Sequence, residues 1–407
     1  MWTKTARPAS IGLNFLVSMA GITIKTSSRI YRGHEWVYAG EVVRTFGDPK
    51  DGDVVQLCGF RGQTLGAGIY NSRSTIVARR FSRRRIKLDL ELFVRRLEGA
   101  RQFRESHGLD PRLCRMVWSE SDGLPGVIVD RYGDHLVLQT LTAGMDQRRD
   151  LIIQALVQVF QPASIIERND SPSRLVEGLE LRTGMAFGNE PAPFDIEVAG
   201  LKIEVDLRRG HKTGFYLDQL SNYAPVAGYA AGRRVLDCFS HTGAFALACA
   251  KAGASEVHAV EMNADCAAQI EGNAARNGLS VRVAAANVFD HFKTLEQRGE
   301  KFDLIILDPP SFTKSKDKLV EARRGYKEIH LRALHLLNAG GRLATFSCSH
   351  HVSAAMLLEV INEAVVDAKK TLCRLAQFSQ GLDHPILTTM PETEYLKGFL
   401  FELVPGR

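Results

Sequence analysis

The chain has 407 residues, of which 45% are hydrophobic and 24% charged, and its formal net charge is +6. That length and balance exclude a disordered or fibrous chain and predict two or three packed domains. The seven cysteines show neither metal spacing nor a disulfide framework, and no apolar run reaches the ~20 residues of a membrane helix, so an intracellular, reduced protein is expected.

The charge is unevenly spread. Residues 1–110 hold 19 Lys and Arg against 10 Asp and Glu, and the remainder holds 33 against 36. A basic first quarter suits a partner with a phosphate backbone. An ordinary solvated surface is the plainer reading.

Residues 1–20 carry Lys4 and Arg7 ahead of Ile11 to Val17. They imitate a signal peptide only loosely and are read as an N-terminal extension. Residues 21–87 alternate short apolar runs (ITIK, EWVY, DVVQL, LGAGIY, TIVARR) with Gly- and Asp-rich turns, which predicts a small β-barrel. Arg79, Arg80, Arg83, Arg84 and Arg85 close this unit, as phosphate contacts or as an exposed linker. Residues 88–205 open on a helix with Leu88, Leu92, Phe93, Leu97 and Phe103 at helical spacing, then mix strands and a second helix. This segment is expected to be a small α+β connecting domain. Its SDGLPG stretch needs nothing beyond a tight turn.

Residues 206–407 begin with GHKTGFYLDQ, a polar and aromatic loop. Lys212 can meet a phosphate there, and Phe215 and Tyr216 can stack on a cofactor or base, or simply pack in the core. Strands and helices then alternate to the end, as in a doubly wound, mostly parallel sheet. The first strand ends in Asp237, and Phe239 to Gly243 form a tight loop before a small-residue helix from about Ala244 to Lys251. Such a turn leaves backbone N–H groups, around Thr242 and Gly243, open to a ligand. The second strand ends in Glu261, followed by Met262; a carboxylate there reaches ribose hydroxyls. These features describe a nucleoside-cofactor site, for NAD or S-adenosyl-L-methionine. The loop has one glycine and no G-x-G-x-x-G, which argues against NAD. The strand Leu304 to Leu307 runs into Asp308-Pro309-Pro310-Ser311-Phe312, and a further strand ends at Ser347-Cys348-Ser349, which puts a carboxylate and a thiol at one sheet edge.

The sequence D-P-P-S resembles motif IV of S-adenosylmethionine-dependent nucleic-acid methyltransferases. The order GHEWVY, G-D-x-V, G-x-G-x-Y resembles the PUA domain, an RNA-binding module. With ESDGLPGVIVDRY, GHKTGFYLDQ, CFSHTGAFA, RRGYKEI, TFSCS, DHP and YLKGF in order, residues 22–405 resemble the bacterial large-subunit rRNA cytosine-5 methyltransferases of the PUA-plus-Rossmann type. The resemblance implies a PUA-like barrel, a class I methyltransferase domain and methyl transfer from S-adenosylmethionine to C5 of a cytosine. Cys348 is then the nucleophile and Asp308 the holder of the base edge. Tyr216, Asp237, Phe239, Thr242, Gly243, Glu261, Met262, Asn287 and Asp308 are expected around the cofactor. Lys212, Pro309, Arg324, Tyr326 and His384 are the candidate RNA contacts, against plain structural roles for Arg324, Tyr326 and His384. A cytoplasmic homodimer acting on large-subunit rRNA is the implied setting.

The chemistry is coherent. C5 of cytosine is a weak nucleophile, and a thiolate adding to C6 makes it enamine-like. Two departures stand out. Asn287 replaces the usual acidic residue at the third strand end, though its side-chain oxygen can still accept a hydrogen bond, and Leu220 stands where the family has arginine after Asp218-Gln219. Two alternatives remain: a guanine methyltransferase, which needs no thiol, and a non-catalytic RNA-binding assembly factor.

Overall fold

The computed structural model describes residues 20–208, 210, 213–313 and 316–406, and every count or absence below refers to these. Residues 1–19 and Lys212 lie outside the described residues.

Residues 21–82 form a six-stranded sheet in the order Trp36–Tyr38, Ile76–Ser82, Thr64–Tyr70, Val54–Gly59, Gly21–Ile24, Val42–Phe46. Alternation along these strands buries Ile22, Ile24, Val37, Val55 and Leu57 together. Gly66 has a φ of +127°, and a Cβ there would lie 2.0 Å from the Ser82 carbonyl oxygen, so only glycine lets these two strands approach.

The helix Leu90–Ser106 follows, with the Asp89 side chain accepting from the Leu92 N–H. It buries Leu92, Phe93, Leu97 and Ala100 against a five-stranded sheet spanning residues 113–188. In that unit Ser119–Asp122 is a short 3-10 turn closed by Gly123, at a φ of +70°. The SDGLPG stretch is thus a structural turn: Asp122 accepts both guanidinium arms of Arg104.

The hairpin Phe194–Val198 and Leu201–Val205 departs from expectation. Sequence order places it in the connecting domain, yet Ile196, Val198, Leu201, Ile203 and Val205 share a core with Phe245, Leu247 and Ile270 of the C-terminal unit. The hairpin's alternate apolar face has no sheet of its own to cover, and the nearest apolar surface lies on those helices. Backbone N–H groups of Glu204 and Lys202 reinforce the docking by donating to Asn273 and Asn277.

The C-terminal unit is a seven-stranded sheet. Its strands are β1 (Arg234–Cys238), β2 (Glu256–Glu261), β3 (Arg282–Ala285), β4 (Phe302–Leu307), β5 (Leu337–Ser347), β6 (Leu372–Ser379) and β7 (Lys397–Leu403). The order is β3-β2-β1-β4-β5-β7-β6, parallel except that β7 runs antiparallel to β5 and β6. Helices α1 (Ala244–Lys251), α2 (Ala264–Arg276), α3 (Val288–Gln297), α4 (Leu319–Leu336) and α5 (Ala354–Asp367) cover its faces. The central strands are near-continuous apolar runs because both faces are covered. No helix is long and apolar enough to cross a membrane.

Candidate active site

Parallel register brings the strand ends level. Cys238 pairs with Val260 on one side and Leu307 on the other, and Leu307 pairs with Thr345. The residues that follow each strand therefore converge at one edge, next to the strand-order reversal between β1 and β4 where ligands of open α/β sheets bind. A cavity of about 590 Å³ opens there, lined among others by Tyr216, Gln219, Phe239, Thr242, Glu261, Met262, Asn287, Asp308, Pro309, Phe312 and Cys348.

The loop after β1 is sharply bent. Phe239, His241 and Gly243 have φ values of +63°, +51° and +89°. A Cβ on Gly243 would approach Ile270 Cγ2 to 2.9 Å, so glycine is required for both backbone and packing reasons. Beneath the loop, Asp237 is 1% exposed. Its Oδ2 accepts from the Ala246 N–H at 3.1 Å, while Oδ1 meets no hydrogen-bond donor among the described residues. Burial, with the Asp308 carboxylate nearby, pushes the Asp237 carboxyl up to about 8. Thr242 Oγ1 is likewise buried and unmatched.

Glu261 is braced rather than loose. Its two oxygens accept from the backbone N–H groups of His241, at 2.9 Å, and Asn263, at 2.8 Å, and each keeps acceptor capacity. Asn287 caps α3, its Oδ1 accepting from Phe289 N–H at 2.9 Å, while Nδ2 turns to Met262 Sδ. The oxygen expected to await a ligand's amino group takes one bond at the helix start, as an N-cap requires, and keeps a second lone pair. Tyr216 sets its ring edge-on to His241, with centroids 4.7 Å apart, and burial raises its phenol's pKa.

On the other side of the cavity, Gln219 Nε2 donates to Asp308 Oδ2 at 3.0 Å, and Gln219 Oε1 accepts from Asn222 at 2.7 Å. Asp308 is thereby held in one orientation. Cys348 lies directly after β5, partly exposed, on the same cavity.

Four of the five proposed RNA contacts lie among the described residues. Tyr326 is 1% exposed and joins its hydroxyl to Ser347 Oγ at 2.8 Å, so it is a core residue and not a surface contact. The helical stripe Tyr326-Ile329-His330-Ala333 turns it inward. His384 is 1% exposed, bonded to Asp383 at 2.8 Å and packed near Trp118 and Tyr395. Arg324 is exposed on α4, and Pro309 lines the cavity. In the basic run, Arg80 is 5% exposed and bonds Glu35 and the His34 carbonyl, and Arg79 pairs with Glu120 and Glu177. Arg79 ties the barrel to its neighbour and Arg80 braces the barrel internally, while Arg83, Arg84 and Arg85 stay exposed.

Gln219 and Lys397 were not singled out from sequence. Both sit in stretches that carry the resemblance, GHKTGFYLDQ and YLKGF, but nothing in one dimension shows that Gln219 meets Asp308 or that Lys397 bonds the Ser349 carbonyl beside Cys348.

Comparison with known proteins accords with this geometry. A family model described as S-adenosylmethionine-dependent methyltransferase matches residues 183–377, and a PUA-like domain matches residues 22–83. The ribosomal RNA large subunit methyltransferase I of Erwinia tasmaniensis is 40% identical over 382 residues, covering 92% of this chain and 96% of that protein. The chain belongs to this methyltransferase family. The protein of the same name from Aeromonas salmonicida is 42% identical over 381 residues, covering 91% of this chain and 96% of that one. Among solved structures SMU.776, in complex with SAH, has the same fold, with a TM-score of 0.82 at 22% identity over 94% of this chain and 99% of that one.

The cofactor of this methyltransferase is S-adenosylmethionine, and the cavity suits it. The ligand carries a sulfonium and an ammonium, and the described lining includes Asp218, Glu261 and Asp308 but neither Lys nor Arg. Asp237 Oδ1 beneath the loop after β1 and Thr242 Oγ1 within it are buried without a partner among the described residues.

Proposed function

We propose that this methyltransferase forms 5-methylcytosine in large-subunit rRNA through a covalent adduct between Cys348 Sγ and C6 of the target base. The observation that carries this reading is one shared cavity: the Cys348 thiol, the Gln219-braced Asp308 carboxylate and the acidic cofactor-facing residues all line it. A guanine methyltransferase needs no thiol at that edge.

The cofactor-facing set is Tyr216, Phe239, Thr242, Glu261, Met262 and Asn287, with Asp237 and Gly243 shaping the loop that carries it. Glu261, braced on two backbone N–H groups, holds the ribose hydroxyls. Bound S-adenosylmethionine supplies an electrophilic methyl group. Cys348 Sγ, as thiolate, bonds to C6 and pushes the electron pair onto C5, which becomes nucleophilic. Asp308 orients the base edge and favours the adduct's charge distribution. After methylation the C5 proton leaves to a base, the C6–S bond breaks, and the thiolate is regenerated. The target base must be unstacked to reach the sulfur.

The basic N-terminal quarter accounts for RNA affinity in this reading. A groove of about 1280 Å³ runs between the PUA-like barrel, the helix Leu90–Ser106 and residues 379–387, and the exposed Arg83, Arg84 and Arg95 line it. The relatives' names specify large-subunit ribosomal RNA as their substrate, and charge complementarity supports the same class here.

The test is nucleoside mass spectrometry. Ribosomal RNA from a strain lacking this gene is incubated with protein and S-adenosylmethionine and then digested. New 5-methylcytidine, lost in Cys348→Ala, is the expected result. A methylguanosine product, or full activity in Cys348→Ala, overturns the covalent mechanism.

A further inference from the structure

We propose that Lys397 is a positioning residue for Cys348: its buried ammonium is the counter-charge that holds the sulfur as a thiolate. The inference rests on the covalent reading above and adds the group that activates the nucleophile.

The geometry begins with the sheet. Lys397 opens β7 and pairs with Ser347 of β5, the residue immediately before Cys348. Its Nζ donates to the Ser349 carbonyl oxygen at 2.6 Å and to the Tyr395 carbonyl oxygen at 2.7 Å. The side chain is thus laid alongside Cys348, bonded to the residue just beyond it, and is only 6% exposed.

A lysine so buried normally has a carboxylate bonded to it. Here both acceptors are neutral carbonyls, and the ammonium's third N–H is left over. Burial lowers Lys397 to about 8, and Cys348 is foremost among the groups that favour its charge, ahead of Glu394. Such coupling is reciprocal: whatever the thiolate contributes to the ammonium, the ammonium contributes to the thiolate.

The surroundings make the contribution matter. Asp308 faces the same cavity and opposes a second negative charge, and the described lining offers no Lys or Arg. Tyr216 and Tyr326 also face the sulfur, as neutral phenols with raised pKa values. His350 and His351 also lie on this side; His350 is held below its ordinary value by burial, then by Lys397 and His351, so it is neutral at pH 7. Among the described residues, Lys397 is the cation bonded to the backbone next to Cys348.

Iodoacetamide alkylation of Cys348, followed by peptide mass spectrometry across pH 5–10, reads the thiolate directly and without methyl transfer. In the wild type the midpoint should fall below the ~8.5 of a free thiol. Lys397→Met should raise it and slow alkylation at pH 7 by about tenfold, the effect of one pKa unit, while Lys397→Arg recovers most of the rate. Identical profiles in wild type and Lys397→Met overturn the proposal. So does a wild-type midpoint at or above the free-thiol value, which decides the matter even if Lys397→Met does not fold. The two readings fail separately: a lowered midpoint with no 5-methylcytidine in the product would sink the cytosine reaction and leave the Lys397–Cys348 pair intact.

Discussion

Asp237 shows how much chemistry one buried carboxyl concentrates. It is held protonated up to about pH 8, whereas an ordinary aspartic acid ionises near 3.8. Between those values the folded chain binds a proton that the unfolded chain has released, so stability from this group is full below about pH 4 and is lost as pH rises through about 8. Asp237→Asn has no proton to lose; its melting temperature should fall less than the wild type's between pH 6 and 9. Gly243 makes the complementary point about shape. Its φ of +89° and the 2.9 Å approach to Ile270 leave no room for a methyl. Gly243→Ala should cost about 1–3 kcal/mol in urea denaturation and weaken S-adenosylmethionine binding measured by calorimetry.

At the scale of elements, α4 carries a buried stripe whose polar members are matched. His330 Nδ1 meets the Tyr326 carbonyl and Nε2 meets Thr345 Oγ1, which suits the neutral ring. Burial lowers this histidine to about 4. The unfolded chain takes up a proton near 6.5 and the folded chain does not, so the stability is present above about 6.5 and is lost as pH falls towards 4. The full loss is on the order of 3 kcal/mol, since one pKa unit is about 1.4 kcal/mol. Urea midpoints of the wild type should drop more steeply from pH 7 to 5 than those of His330→Gln. Tyr326 illustrates the same helix from the other side: the RRGYKEI stretch reads as a charged helix start, but helical rotation sends Arg324 to solvent and Tyr326 to the core.

At the scale of the molecule, three units are held together by buried polar links. Arg104, 0% exposed, reaches the carboxylate of Asp122 and the carbonyl oxygens of Arg115 and Asp383. Asp383 Oδ2 in turn accepts from the Arg115 N–H. The connecting domain is thereby fastened to the segment preceding β7. Arg104→Ala strands Asp122 and should cost about 3–5 kcal/mol in denaturant unfolding, the range for breaking a buried pair. The groove beside this joint makes a separate prediction. Arg84→Ala should weaken RNA binding about uniformly across sequences and reduce the slope of log K against log salt by about 1, with S-adenosylmethionine affinity unchanged.

The sequence by itself determined the class of fold, the cofactor loop and the identity of the strand-end residues. These are local properties. Apolar runs of strand length, a helix of small residues and the turn chemistry of Ser240 to Gly243 and Asp308 to Pro310 are written in adjacent positions. It also exposed the thiol at Ser347-Cys348-Ser349, because a strand end is legible from its run of residues. Pairings across the chain were decided only by the tertiary structure. Gln219 reaches Asp308 over 89 positions, and Lys397 reaches the Ser349 carbonyl over 48. Burial was decided there as well: Tyr326 and His384 look like surface polar residues until the helix and the loop are packed. Arg79 and Arg80 belong to the same case, their charges being met by acids far along the chain. A charge's partner and a side chain's dielectric depend on three-dimensional neighbours, and no one-dimensional pattern carries them.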